Sequence, residues 1–475
     1  MKRAITAALA VLAVVWFFCP ASHPHGVARD FNAFYCAGRA VSAGVDPYRA
    51  EPLGTCERAP KKAGFYTVPA GVTLPAPLPP YDLAVFATIG KLPYEVATGL
   101  WIVLILASLA APVEAIHRLT QLPRSVLLLV FGPIDGWSAI FLGEIAPVAV
   151  ASLSVAMLAM REGHPRLSAA LLGLSLCEPH VGIAPVLAMF ACIPRTRPTI
   201  ALSVLALIAV SFVSVGTATT FEYVRNVLPA HAVSEIASTR QLSLTALLHT
   251  LGVRDANALM LGSLSYVAML LVGLVTARRL AARDPDDPLV IAAPAAFVLL
   301  GGVFIHSIQM PAAFPAALVA YTRVSGRLRT VLGAAIVIIA TPWMSFLAFG
   351  IIVPCIAFVS GALAIRLLDA RPRVAFAVGI AAACYVYGLQ LGLATGGPYP
   401  GPLSLPPIAP HDLAEVNWGE NIRALSTVDR TIFDFARLPE WLSIAMIAIG
   451  LWFAARTSEP RVERATVRLR IGASR

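Results

Sequence analysis

Tyr94-Glu95-Val96-Ala97-Thr98-Gly99-Leu100-Trp101-Ile102-Val103-Leu104-Ile105-Leu106-Ala107-Ser108-Leu109-Ala110-Ala111-Pro112-Val113 is the stretch that decides the fold class. A helix needs about 20 consecutive apolar residues to cross a bilayer core, and this run supplies them with one charge, Glu95, in its first turn. Trp101 sits near one end, where an interface anchor belongs, and Arg118 and Arg124 follow the other. The same alternation recurs along the chain. Arg161 and Arg166, then Arg195 and Arg197, then Arg278, Arg279 and Arg283 lie in short turns between alternate apolar segments. Arg323, Arg327 and Arg329 continue the series, followed by Arg366, Arg371 and Arg373 and by an Arg-rich tail from Arg456 to Arg475. Basic residues in short loops mark the cytoplasmic side, so both termini are expected in the cytoplasm of a bacterial-type inner membrane.

Composition agrees. The chain has 475 residues, of which 58% are hydrophobic and 13% charged. Fourteen apolar segments can be traced, so the expectation is an all-α polytopic membrane protein with about 12–14 transmembrane segments. The net charge of +10 would suit a nucleic-acid ligand, but its placement in alternate turns is that of a membrane protein, and no nucleic-acid partner is expected. Lys2 and Arg3 precede an apolar run from Ala4 to Phe18, and Ser22-His23-Pro24 makes a poor cleavage site, so this start reads as an uncleaved signal anchor. Residues 1–455 then form one membrane domain, with a first outer loop at 20–82, a second at 396–438 and a basic tail at 456–475. Leu83 to Leu92 is too short to span and stops at Pro93, as an interfacial or re-entrant helix does. Tight outer turns are expected at Gly143-Glu144, at Cys177-Glu178-Pro179-His180 and at His306 to Pro311, and an outer loop from Thr217 to Ala256.

The first outer loop carries the chemistry. Arg29-Asp30-Phe31-Asn32-Ala33-Phe34-Tyr35-Cys36-Ala37-Gly38 places a carboxylate at the mouth of a membrane span. An ionisable group there costs free energy unless it is used, so function is the default hypothesis, against an interfacial Asp paired with Arg29. Cys36 and Cys56 share this loop, where an oxidising compartment would permit a disulfide. Two unpaired thiols are the other reading, because spacing does not show that their Cα atoms approach. Asp284-Pro285-Asp286-Asp287 looks like a metal-binding acidic pair, but its Arg neighbours make it a solvated turn that starts the next helix. No nucleophile elbow, Walker loop, Cys/His zinc pattern or Rossmann fingerprint is present, so no cofactor and no metal are expected.

Set in order, these pieces carry a resemblance. Arg29-Asp30-Phe31-x-x-Phe34-Tyr35-x-Ala37-Gly38, Asp46-Pro47-Tyr48, Pro79-Pro80 before an apolar helix and Leu92-Pro93-Tyr94 resemble the start of glycosyltransferase family 87. Gly143-Glu144, Ala169-Ala170-Leu171-Leu172-Gly173-Leu174, Pro179-His180, Gln241-x-Ser243-Leu244 and His306 extend it over roughly residues 27 to 315. That family belongs to the C-type glycosyltransferases, related to polyprenol-phosphate-mannose-dependent mannosyltransferases. The resemblance implies transfer of a hexose from a polyprenyl-phosphate-linked donor to a lipid or glycan acceptor at the outer face, among membrane lipids. It implies Asp30 as the base that deprotonates the acceptor hydroxyl, with inversion at the anomeric carbon. His306, Arg240, Gln241, Ser243 and His180 become candidates for the donor phosphate, and Glu144, Glu178 and Tyr35 further site candidates.

Two departures stand out. The family often has Lys where this chain has Glu178, and usually Gln where it has Glu144, so negative charge is added where a phosphate would bind. A lipid or solute transporter is the rival reading, but transporters place sites at the midplane of repeated halves, and here no repeat is visible and the polar groups gather at one face. A transferase-like scaffold without activity is the third.

Overall fold

The computed structural model describes residues 27–61, 65–66, 68–134, 139–238, 240–341, 343, 352–395, 409–425 and 431–457. The expected signal anchor from Ala4 to Phe18, the tail beyond Thr457 and residues 396–408 of the second outer loop lie outside the described residues. Among the described residues every regular element is a helix, with isolated bridges at Val27–Phe65, Arg49–Leu413 and Gln241–His306. Five of these helices are long and apolar enough to cross a membrane: Tyr94–Thr120, Pro194–Ser234, Asp255–Ala281, Pro372–Gly392 and Asp434–Arg456. The chain is therefore an all-α polytopic membrane protein.

Six shorter apolar helices of 10–17 residues fill in between them. At 1.5 Å per residue such a helix falls short of a hydrocarbon core about 30 Å thick. Several meet at breaks, as Pro165–Cys177 and Pro179–Cys192 do around the buried Glu178. Irregular backbone at that depth is tolerated only where protein covers it.

Ion pairs show which turns share an end. Arg118 pairs with Glu162, Arg161 with Asp284 (3.7 Å), Arg195 with Asp286 and Arg323 with Asp287 (2.6 Å). Arg283 donates to the carbonyls of Ala455 and Arg456 at 2.5 and 2.9 Å. The Arg-bearing turns thus gather at one end of the bundle. The acidic run there is a turn: Asp284 Oδ1 accepts from the Asp286 amide and Asp287 Oδ1 from the Leu289 amide, at 3.0 and 2.9 Å.

The opposite end is a folded cap, and it differs from the loops expected there. The first loop holds helices Arg29–Ser42, Ala50–Glu57 and Pro80–Ile89, tied by a Cys36–Cys56 disulfide. Where a loop is expected from Thr217 the chain stays helical to Ser234, after a kink at Gly216 (φ 81°) and through a wide turn at Tyr223–Val227. The second loop contributes helix Ala414–Leu425. An apolar core of its own knits the cap, built around Phe31, Phe34, Tyr48, Leu53, Phe86 and Trp101. Phe31 stacks on Trp101 at 5.6 Å, and Phe86 meets both Trp101 (4.9 Å) and Phe34 (5.4 Å). Each such ring pair is worth about 0.5–1.5 kcal/mol beyond its burial. Gly38 lets the Pro80–Ile89 helix cross closely, since a Cβ there would lie 2.2 Å from the Phe86 carbonyl oxygen.

Candidate functional site

Asp30 lies in the first turn of helix Arg29–Ser42, where exposed amides and the helix dipole favour a negative charge. Phe31, the next residue, anchors this turn in the aromatic core. Ala28, just before it, takes the left-handed conformation (φ 62°) rare for a residue with a side chain, and its amide donates to the Ile140 carbonyl at 3.2 Å. Arg29 grips Asp30 with two donors: Nε reaches Oδ1 at 2.7 Å and Nη2 reaches Oδ2 at 3.3 Å. Burial works to raise the Asp30 carboxyl, but the Arg29 charge, its hydrogen bond and one from Glu144 prevail and hold it below the usual range.

Glu144 reaches Asp30 because of the residue before it. Gly143 is left-handed (φ 77°), and a Cβ there would meet Phe31 Cβ at 2.6 Å, so the turn rests directly on the Asp30 helix. Trp101 Nε1 clamps the Gly143 carbonyl at 2.7 Å. Burial, then the Asp30 charge and its hydrogen bond, push the Glu144 carboxyl well above its ordinary value. The two carboxyls therefore share one proton: Glu144 keeps it and donates to the ionised Asp30. Chemically this is an ionised base with a neutral carboxyl beside it.

His306 enters from the turn that opens the short helix Ser307–Ala313. Gln241 Oε1 accepts from the Ile305 amide at 2.9 Å, which turns the Gln241 amide nitrogen toward His306 Nε2 at 3.2 Å. Burial pushes this imidazole down to about 4, with Arg29 and Arg240 adding to it and Asp30 and Glu178 opposing. At neutral pH the ring is uncharged, and Nε2 accepts from Gln241. Gln309 links this turn to the broken helix: its Oε1 accepts from the His306 amide at 2.7 Å and its Nε2 donates to Glu178 at 3.2 Å. His180 Nδ1 lies 3.1 Å from the same Glu178 oxygen. Glu178 is thus held by two side-chain partners.

Other expected residues hold the frame. The Tyr35 hydroxyl donates to the Leu92 carbonyl at 2.8 Å and its ring packs edge-on to Tyr94 at 5.1 Å. Ser243 caps helix Leu244–Thr250, its Oγ accepting from the Ala246 amide at 3.2 Å. Arg240 is exposed and exerts its charge on His306 and Tyr66. Among the described residues no three His, Cys, Asp or Glu side chains converge as a metal site.

Several polar residues of the cap have no counterpart among those expected. Glu57 is buried, with Oε2 accepting from the Leu74 amide at 2.9 Å, and burial raises it to about 8. His231 and Glu235 are buried one helical turn apart beside His306. The visible trace in the sequence is the i, i+4 spacing of that pair, which carries meaning only once the segment is known to be helical.

A model of glycosyltransferase family 87 matches residues 78–307. No curated protein and no solved structure matches the chain. The match takes in Glu144, Glu178, Arg240, Gln241 and His306. Asp30 lies ahead of it and is joined to these residues through Glu144 and the field around His306.

Proposed function

The chain belongs to glycosyltransferase family 87 and is a membrane glycosyltransferase, and from that premise we propose that it moves a hexose from a polyprenyl-phosphate-linked donor to a lipid or glycan acceptor. The reaction takes place at the outer face of an inner membrane, on a C-type glycosyltransferase scaffold with both termini cytoplasmic. Asp30 removes the proton of the acceptor hydroxyl as the oxygen attacks the anomeric carbon, and the lipid phosphate leaves from the opposite side, so the configuration inverts.

The observation that carries this reading is the Arg29–Asp30–Glu144 arrangement beside His306. A general base must be ionised before the hydroxyl arrives, and Arg29 with the Glu144 proton keeps Asp30 in that form. Burial limits competing solvation of the carboxylate. His306 is neutral in the free protein, and a phosphate entering beside it would raise its affinity for a proton. Arg29 and Arg240 add positive potential on that side. The end of the bundle holding this site lies opposite the Arg-rich turns, which supports an outward-facing site. Nucleotide sugars are cytosolic, so a donor used there must be lipid-delivered.

The test is transfer by purified full-length protein in nanodiscs, offered a panel of polyprenyl-phosphate sugars and lipid acceptors. Asp30→Asn conserves shape and should lower turnover about 10²–10⁴-fold, the usual contribution of a general base. Product NMR gives the anomeric outcome. Wild-type turnover by the Asn protein, or a retained configuration, would remove Asp30 from the mechanism.

A further inference from the structure

Beside His306 the cap buries polar atoms that make no hydrogen bond among the described residues. His231, in helix Leu228–Ser234, and Glu235, just after it, lie one turn apart, with the Glu235 amide donating to the His231 carbonyl at 3.1 Å. Their exposures are 8% and 5%, so both are more than nine-tenths buried. Among the described residues neither ring nitrogen of His231 has a hydrogen-bond partner, and neither does Oε2 of Glu235. The other Glu235 oxygen accepts from the Trp418 indole, which helix Ala414–Leu425 brings in from the second loop. Glu235 Oε2 lies 3.7 Å from His306 Nε2. The His231 ring sits 4.6 Å from Phe304, whose other neighbours are His306 at 4.8 Å and His180 at 5.3 Å.

A buried polar atom without a partner is unfavourable, and folds retain few of them. Three lie together here, one beside the His306 imidazole and two on the ring packed against Phe304, the arrangement of groups that meet something that enters. Their chemistry narrows what that is. A carboxylate repels a phosphate, so the anionic part of a substrate belongs toward Arg29 and Arg240. A carboxylate oxygen accepts from a hydroxyl, and a neutral imidazole both accepts from one and donates to another. An aromatic ring alongside suits the C–H face of a sugar.

We propose that His231 and Glu235 form the subsite that binds hydroxyl groups of the transferred sugar, next to Phe304. This rests on the transferase reading above. Trp418 holds Glu235 in its rotamer and is a positioning residue, so the second loop takes part in sugar selection.

The experiment measures binding without turnover. Methyl glycosides of mannose, glucose and galactose, and methyl phosphate as the anionic control, are titrated onto the full-length protein in nanodiscs by ligand-observed NMR. The proposal expects one glycoside to bind the wild type. Glu235→Gln and His231→Phe should each weaken it several-fold to about tenfold, the net worth of a hydrogen bond, the two together should weaken it more, and all should leave methyl phosphate unchanged. Trp418→Phe should weaken it less. Thermal unfolding of each variant is recorded alongside, and the near-isosteric Glu235→Gln guards against misfolding. Unchanged glycoside binding in Glu235→Gln and His231→Phe overturns the proposal. So does no glycoside binding at all, or equal loss of glycoside and methyl phosphate. Glycoside binding that depends on Glu235, in a protein that turns over no polyprenyl-phosphate sugar, would keep the hydroxyl subsite and reject the lipid-phosphate donor.

Discussion

Replacing Arg29 by Gln asks which of two carboxyl groups carries the charge. The guanidinium contacts Asp30 at 2.7 and 3.3 Å, and the two side chains are 19% and 18% exposed. At an effective dielectric of about 20, unit charges about 3 Å apart attract by roughly 5 kcal/mol before desolvation of the cation is subtracted. Desolvation offsets part of this, and the Arg29 charge and hydrogen bond still leave the Asp30 carboxyl below its ordinary value. The sign follows from the direction. A depressed carboxyl contributes stability and ionised base above its ordinary value, and loses both as pH falls through the depressed one. Without Arg29 that loss should begin at higher pH, which carries the acid limb of kcat/KM upward toward a measurable window. Glu144 would then compete with Asp30 for the anion, lowering the plateau as well. The assay is kcat/KM against pH in nanodiscs for wild type, Arg29→Gln and Arg29→Lys, with Lys retaining part of the depression. An acid limb that stays put in a folded Arg29→Gln protein would refute the reasoning, since Arg29 would then not set the ionisation on which catalysis depends.

Other expectations follow from the same geometry. Glu144→Gln keeps a neutral donor to Asp30 and should stay within a few-fold of wild type near neutrality, while the wild type alone loses activity as pH rises through the raised Glu144 value; Glu144→Ala should be the more damaged. Glu57→Gln should raise Tm at alkaline pH, because a buried carboxyl raised to about 8 contributes fully below about pH 4.5 and loses that contribution as pH climbs through 8; differential scanning fluorimetry from pH 5 to 9 checks it. Glu178→Lys sets a cation against the Gln309 and His180 groups that now meet a carboxylate, so Tm should fall, with Glu178→Gln milder. For topology, Val45→Cys should react with an impermeant maleimide from outside, and Ala282→Cys only after permeabilisation; the reverse would invert the assigned orientation.

The membrane bundle was readable because its determinants are local. Tyr94 to Val113 states its environment residue by residue, and the helix extends past it to Thr120 simply because backbone hydrogen bonding does not stop where lipid contact does. The segment after Thr217 shows the converse. Hydropathy reports transfer into lipid, so it ends where polar residues begin, although Gly216 kinks the helix and the chain then continues helical to Ser234. Pro229 follows directly on the wide turn at Tyr223–Val227, where the regular hydrogen-bond ladder is already interrupted, and so does not terminate the helix. The cap stayed hidden for the same reason: its helices are short, half-polar and stabilised by partners distant in sequence, such as Asn417, which accepts from the Thr73 amide at 2.7 Å.

At the site, residue identities were legible and charge states were not. Asp30 and His306 stand out as polar residues beside apolar runs, but what each does is decided by the groups the fold brings against it, Arg29 and Glu144 for Asp30 and Gln241 for His306. Glu144 shows what this changes. Read as a letter, it adds a negative charge where the resemblance leads one to expect Gln, and so counts against an anionic donor. Placed by Gly143 against Asp30, it holds its proton and offers a donor to the neighbouring carboxylate, as a carboxamide would. The departure is then one of protonation, conservative below the raised Glu144 value and disruptive above it. Glu178 differs, because Gln309 donates to one of its oxygens and His180 lies 3.1 Å from the same oxygen, which leaves the other oxygen as an acceptor. If hydroxyl recognition extends from Glu235 to Glu178, exchanging Glu178 for Gln should change which sugar is preferred more than how tightly the phosphate is held. A donor panel run on Glu178→Gln and Glu144→Gln side by side separates the two: the first should reorder sugars, and the second should move only the pH profile.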